Sequence, residues 1–175
     1  MIIDNNAEAF FPLCFILNRE GIVRLIILII ALLGIDQWTK ALVANSMNEG
    51  DTISVLQDFF HITYVKNHGV AFGMFQGNLE VISSIAIIAI LGIAYYMIKK
   101  LKPEEFLSKY AYTFIIAGAI GNMIDRIYRG FVVDMVDFRG IWIYVFNMAD
   151  VWINIGVILL ILEVIMFERE KKKKG

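Results

Sequence analysis

The sequence has little of what disulfide-linked or metal-binding proteins need. Its one cysteine, Cys14, allows neither an internal disulfide nor a cysteine-based zinc site. Its two histidines, His61 and His68, have no partner at the spacing of a metal site, and we expect both at solvated loop positions. The sequence therefore predicts no metal and no other cofactor.

Charge is also scarce, and this excludes a soluble domain. Only 19% of the 175 residues are charged, whereas 59% are hydrophobic, and the mean hydropathy is +0.68. Such a composition is typical of an integral membrane protein. The formal net charge of -1 gives no reason to expect a nucleic-acid partner.

Four segments approach the 20 or so apolar residues that a membrane-spanning helix needs: 23–43, 79–98, 110–128 and 147–167. The first segment ends in Asp36 and Lys40, one helical turn apart, which a cleaved signal peptide would not need. We therefore predict four transmembrane helices in one domain, residues 1–175. Residues 1–20 have no predicted role, and 168–175 form a basic cytoplasmic tail.

The basic residues are distributed unevenly between the two ends of the predicted helices. Of the 16 lysines and arginines, eleven lie before or at the start of the first helix, between the second and the third, or after the fourth. The positive-inside rule therefore predicts that both termini are cytoplasmic and that the two longer connections lie outside.

These outer connections are rich in β-branched and aromatic residues, which indicates short strands in 53–66 and 131–146. Arg139-Gly140 could turn a strand at 131–138 into another at 141–146. Because the connections lie outside the hydrocarbon, we predict a small extracytoplasmic β-sheet resting on the membrane surface.

Polar residues at helical spacing form single stripes on the outer ends of three predicted helices. Such stripes turn towards partner helices, and ionisable groups at this depth indicate a functional site. The stripes are Gly118, Asn122 and Asp125 on the third helix, Asn147, Asp150 and Asn154 on the fourth, and Asp36 and Lys40 on the first.

Four sequence blocks in this region resemble those of lipoprotein signal peptidase, the bacterial signal peptidase II family. The blocks are DQWTK at 36–40, NHGVAF at 67–72, GNMIDR at 121–126 leading to VVD at 132–134, and FNMAD at 146–150. They occur in the family's order between the predicted helices, and they span most of the chain.

The resemblance implies an intramembrane aspartic peptidase of the bacterial inner membrane. Such an enzyme removes the signal peptide from a prolipoprotein by cutting before a cysteine that carries diacylglycerol. The implied partners are the prolipoprotein and membrane lipid, and the implied inhibitor is the cyclic peptide globomycin, whose hydroxyl would lie between the two aspartates. We expect a monomer with its active site at the extracytoplasmic face.

The resemblance implies that Asp134 and Asp150 are the catalytic pair. Two carboxylates in a poorly hydrated site cannot both ionise cheaply, so one keeps a proton while the other acts as a base. The sequence does not decide which aspartate is protonated. By chemistry alone Asp137, three positions after Asp134, could replace it.

The remaining residues of the blocks have two possible kinds of role. The amides of Asn67, Asn122 and Asn147 could hold a substrate backbone or orient the carboxylates. Arg126 could pair with Asp125 or bind a substrate carbonyl. We expect Asp36 with Lys40, and Asp125 with Arg126, to form ion pairs that hold the helix ends together. Three glycines could allow close backbone approach, to substrate or to a helix: Gly69, Gly118 and Gly121.

Other membrane-protein classes fit less well. A transporter or proton channel should show inverted repeats or broken helices, and the two halves of the sequence are not self-similar. A presenilin-type protease would need a Gly-x-Gly-Asp block, which does not occur. A non-catalytic scaffold would have sparse polar groups within its helices.

Overall fold

The computed structural model describes residues 19–69, 78–101 and 105–174. Four helices occupy most of this length: α1 (Arg19–Ser46), α2 (Leu79–Lys99), α3 (Phe106–Arg129) and α4 (Met148–Lys174). They contain all four predicted helical segments except the first residue of the fourth, so the helical part of the prediction is confirmed. The basic residues at 171–174 lie at the end of α4.

Among the described residues, three helices are long and apolar enough to cross a membrane: Glu20–Ser46, Glu80–Lys99 and Met148–Lys173. Large aliphatic side chains such as Ile30, Ile88 and Val164 are exposed on these helices, as expected for surfaces that face lipid. α3 contacts all three. Its buried residues include polar ones such as Thr113 and Asn122.

Glycine lets α3 and α4 approach closely. A Cβ atom at Gly118 would collide with the backbone oxygen of Ala149, and one at Gly156 would lie 2.5 Å from the backbone oxygen of Ala111. Small residues at these crossings allow backbone-to-backbone packing. The packing brings the start of α4 against the end of α3.

A three-stranded antiparallel sheet lies beyond these helix ends: β1 (Thr52–Leu56), β2 (Phe60–Asn67) and β3 (Val132–Phe138), with β2 in the centre. The sheet packs against the end of α1 through a cluster that contains Val43, Tyr64, Val133 and Met135. The prediction of a small sheet in the outer connections is confirmed.

The predicted hairpin between 131–138 and 141–146 is wrong. β3 pairs with β2, and in the second segment Phe146 alone forms a bridge, to Val136. Residues 141–146 are continuously apolar rather than alternating, so their sequence does not favour a half-buried strand. β2, by contrast, offers β3 a partner of similar length.

The two histidines differ in their environments. His61 is a buried residue of β2, with only 6% of its surface exposed, so its predicted solvated position is wrong. It lies opposite Asp137 in the sheet. His68 is exposed, as predicted. Cys14 and most of the segment 1–20 lie outside the described residues.

Candidate active site

The predicted catalytic aspartates come from different elements that meet where the sheet covers the helix ends. Asp134 is in β3 and only 2% exposed. Asp150 is in the first turn of α4. Sixteen positions separate them in sequence, and the loop 139–147 returns the chain from the sheet to the start of α4.

Two asparagine side chains hold the Asp134 carboxylate. Asn147 Nδ2 donates to Oδ1 at 2.6 Å, and Asn67 Nδ2 donates to Oδ2 at 2.9 Å. Asn67 is the last residue of β2, and antiparallel pairing with β3 places it beside Asp134. The sheet therefore positions this carboxylate and one of its donors together.

Asp150 is held by a reciprocal cap at the start of α4. The Asn147 backbone N–H donates to Asp150 Oδ2 at 3.2 Å, and the Asp150 backbone N–H donates to Asn147 Oδ1 at 3.1 Å. This is the capping-box arrangement, with aspartate at the third position. Asn122 Nδ2 on α3 donates to Asp150 Oδ1 at 2.8 Å.

Asn147 joins the two aspartates. This fully buried residue donates from its side chain to Asp134 and from its backbone to Asp150. Asp137 lies outside this network, since its carboxylate accepts from Thr63 Oγ1 at 2.7 Å and Arg139 Nε at 3.1 Å. The structure thus brings Asp134, and not Asp137, together with Asp150.

The environment of Asp134 favours its protonated form. Burial, reinforced by the nearby charge of Asp150, raises the pKa of Asp134 from 3.8 to about 7, although the hydrogen bonds from Asn67 and Asn147 oppose the shift. A carboxyl group that keeps its proton near neutral pH beside a second carboxyl group can serve as a general acid.

A buried ion cluster lies behind the aspartate pair. Lys40 Nζ is 2.9 Å from Asp36 Oδ2, 3.3 Å from Asp125 Oδ2 and 3.1 Å from Asn122 Oδ1. Lys40, Asp36 and Asp125 are each at most 1% exposed. The predicted pair of Asp36 with Lys40 is confirmed within α1, and Lys40 connects α1 to α3 through Asp125 and Asn122.

The predicted pair of Asp125 with Arg126 is wrong. Asp125 pairs instead with Lys40 and with Arg129, whose Nε lies 3.1 Å from Asp125 Oδ1. Consecutive residues of a helix do not face each other, whereas residues four apart do. The i,i+4 spacing of Asp125 and Arg129 could have identified this pair from the sequence.

Arg126 is turned towards the aspartates and the end of β2. Its guanidinium donates to the backbone oxygen of Gly69 at 3.3 Å, and its buried Nε has no hydrogen-bond partner among the described residues. The backbone N–H of Gly69 donates to Asn67 Oδ1 at 2.9 Å. Gly69 therefore connects Arg126 to Asn67, one of the donors to Asp134.

Asp36 also caps α4. Its Oδ1 accepts the backbone N–H of Ala149 at 2.8 Å. A Cβ atom at Gly121 would lie 2.6 Å from Asp36 Oδ2, and one at Gly118 would meet α4, so both glycines serve packing within the protein.

Gln37, to which the sequence assigned no role, donates to Asp36 and to the backbone oxygen of Gly121. Asn154 is exposed and donates to the α4 backbone.

Comparisons with known proteins identify the family of the chain. Residues 28–166 match the Peptidase_A8 family, described as signal peptidase (SPase) II. The lipoprotein signal peptidase of Fusobacterium nucleatum is 54% identical over 85% of this chain and 90% of its own length. That of Clostridioides difficile is 40% identical over 84% and 98%.

Solved structures show the same fold. A bacterial membrane enzyme determined by the in meso method superposes with a TM-score of 0.81 at 34% identity, covering 88% of this chain and 94% of its own. A second such structure gives a TM-score of 0.75, also at 34% identity, over 82% and 93%. By family match and by identity to its relatives, the chain belongs to the signal peptidase II family.

Proposed function

We propose that this protein is an aspartic endopeptidase of the bacterial cytoplasmic membrane. It removes the signal peptide from diacylglyceryl-modified prolipoproteins by cutting before the lipid-modified cysteine. Relatives named lipoprotein signal peptidase support the substrate class. The observation on which the mechanism depends is that one buried residue, Asn147, donates to both Asp134 and Asp150.

In this mechanism Asp150 is the base and Asp134 the acid. The raised pKa of Asp134 favours its protonated form, which assigns the role of base to Asp150, the other carboxylate of the pair. Asp150 takes a proton from water, which attacks the scissile carbonyl. Asp134 donates its proton to the carbonyl oxygen. When the C–N bond breaks, Asp150 gives its proton to the departing amine, and Asp134 takes back a proton from a hydroxyl of the intermediate.

Arg126 is suited to hold the substrate backbone. Its Nε is a buried donor without a partner among the described residues, and such a group is costly unless something binds it. A peptide carbonyl beside the aspartate pair would satisfy this donor. Because Arg126 also contacts the Gly69 oxygen at the end of β2, the substrate would lie between the sheet and α3.

The proposed orientation follows from the distribution of basic residues. Eleven of the 16 lysines and arginines lie on the side predicted to be cytoplasmic. With both termini in the cytoplasm, the sheet and the aspartate pair would lie at the extracytoplasmic face.

The test is cleavage by the purified protein in detergent. We expect it to cut a diacylglyceryl-modified prolipoprotein and to leave the matched unmodified precursor intact, with globomycin blocking the reaction. The activity should survive strong chelators, because the proposed chemistry uses carboxyl groups alone. Loss of cleavage with a chelator, restored by a divalent metal, would contradict the two-aspartate mechanism.

A further inference from the structure

All four carboxylate oxygens of the aspartate pair accept a hydrogen bond from a nitrogen. The donors are the side-chain amides of Asn67, Asn122 and Asn147 and the Asn147 backbone. An asparagine amide has a donating end and an accepting end, and only the donating end can face the ionised carboxylate of Asp150. The Asn122 amide, which faces Asp150, must therefore be held in one of its two orientations.

The accepting end of each amide is fixed by a group that can only donate. Asn67 Oδ1 accepts from the Gly69 backbone at 2.9 Å, and Asn147 Oδ1 accepts from the Asp150 backbone at 3.1 Å. Asn122 Oδ1 accepts from Lys40 Nζ at 3.1 Å. A rotated amide would place two donors against each other at any of these positions.

Lys40 differs from the other two because it is a side chain and carries a charge. Its ammonium group has three hydrogens, and the structure provides three acceptors: Asp36 Oδ2, Asp125 Oδ2 and Asn122 Oδ1. The group is fully buried, so no water replaces these partners. Asn147 Nδ2 also donates to Asn122 Oδ1, at 3.1 Å, but this nitrogen is shared with Asp134.

We propose that Lys40 is a positioning residue for the catalytic pair, which fixes the Asn122 amide so that its nitrogen donates to Asp150. This inference rests on the proposed function of Asp134 and Asp150. It differs from a role in holding α1 against α3, which the ion pair of Lys40 with Asp125 serves, because it acts through the hydrogen bond from Lys40 to Asn122.

The test compares a double variant that keeps the buried charges balanced with a single variant that keeps Lys40. Lys40→Met combined with Asp36→Asn removes one charge of each sign and the donor to Asn122. Asp36→Asn alone is the matched control, because it leaves Lys40 on Asn122. We expect the control to lower kcat clearly less than the double variant does, because its amide oxygen can still accept the Ala149 backbone N–H. We expect the double variant to lose about 10- to 100-fold in kcat with little change in KM, as for loss of one hydrogen bond to a charged group.

A mutant cycle shows whether the effect passes through Asn122. If it does, adding Lys40→Met and Asp36→Asn to Asn122→Ala should lower kcat no further. Two results would overturn the positioning role and leave the proposed function intact. One is an equal loss of kcat in the wild-type and Asn122→Ala backgrounds, and the other is a double variant as active as Asp36→Asn. A wild-type protein that cleaves no prolipoprotein would overturn the proposed function, and the positioning role with it.

If the double variant does not fold, Asn122→Asp provides an independent test. This isosteric change keeps an oxygen acceptor for Lys40 but removes the donor to Asp150. We expect a folded protein, judged by thermal unfolding in detergent, with a similarly reduced kcat. Wild-type kcat in Asn122→Asp would overturn the proposal.

Discussion

At the scale of single residues, Asn147 has several tasks at once. It begins α4 as its cap, donates to both aspartates and is fully buried. Its side chain can do this because an amide offers two donor hydrogens and an acceptor oxygen. The same side chain therefore caps the helix and helps to hold the aspartate pair in place.

The first residue-scale prediction concerns the pair itself. Asp134→Asn and Asp150→Asn should each lower kcat by about 10²- to 10⁴-fold or more, because each removes a proton-transfer group with little change in shape. Asp137→Asn is the matched control and should keep most activity, because its carboxylate bonds to Thr63 and Arg139 instead. Cleavage of a diacylglyceryl-modified prolipoprotein measures all three. An inactive Asp137→Asn with an active Asp134→Asn would reverse the assignment.

The second concerns the dependence of stability on pH. Burial and the charge of Asp150 raise the pKa of Asp134 to about 7 in the folded protein, against an ordinary value of 3.8. Between these values the folded state binds more protons than the unfolded state, so this contribution to stability is full below about pH 4 and is lost as the pH rises towards 7.

We therefore expect the Tm of the wild-type protein in detergent to fall over this range relative to that of Asp134→Asn, which has no carboxyl group at this position. The difference in Tm between the two proteins, measured from pH 4 to 8, isolates the contribution. A difference that does not change with pH would show that Asp134 titrates alike in the folded and unfolded states.

At the scale of elements, the start of α4 is the organising feature. Its first N–H groups have no partners within the helix. Asp36 from α1 accepts one at Ala149, and the Asn147 side chain accepts another at Asp150. Close packing of α3 on α4 at Gly118 brings Asn122 within reach of Asp150. Helix capping and helix packing together define the site.

Substitution of Gly118 tests this packing. We expect Gly118→Ala to lower the free energy of unfolding by about 1–3 kcal/mol, because its Cβ would collide with the backbone of Ala149 and the helices must separate. Gly92→Ala on α2 is the control: its Cβ would meet no atom within 4 Å, and the gain in helix propensity is about 1 kcal/mol. Thermal unfolding in detergent compares them. Equal stability of both variants would contradict the close approach.

At the scale of the whole molecule, the protein consists of a helical part that crosses the membrane and a sheet at one end. The site lies between them: Asn67 of β2 and Asn147, which precedes α4, donate to Asp134 of β3, and Asn122 of α3 donates to Asp150 of α4. This position gives the aspartates protein partners instead of lipid, which is the condition for keeping ionisable groups at the membrane.

Labelling of single cysteines tests the orientation. In a Cys14→Ser background, Gln57→Cys lies in the turn between β1 and β2, and Lys100→Cys lies just after α2. If both termini are cytoplasmic, an impermeant thiol reagent should label the first in intact cells and label the second only after lysis. The reverse pattern would place the site in the cytoplasm.

The sequence by itself determined the membrane class, the four helices, the presence of outer strands and the blocks that contain the site. These features depend on composition and on periodicity along the chain, and both can be read directly from the sequence. The i,i+4 spacing within α1 likewise predicts the pair of Asp36 with Lys40.

Only the tertiary structure decided which strand pairs with β3, that His61 is buried, and that Asp125 pairs with Lys40. It also decided that Asn122 links Lys40 to Asp150. Strand partners and buried polar contacts join residues that are far apart in sequence, and their choice depends on which groups can be satisfied together in three dimensions. No local pattern contains that information, because burial makes each polar group depend on all of its neighbours.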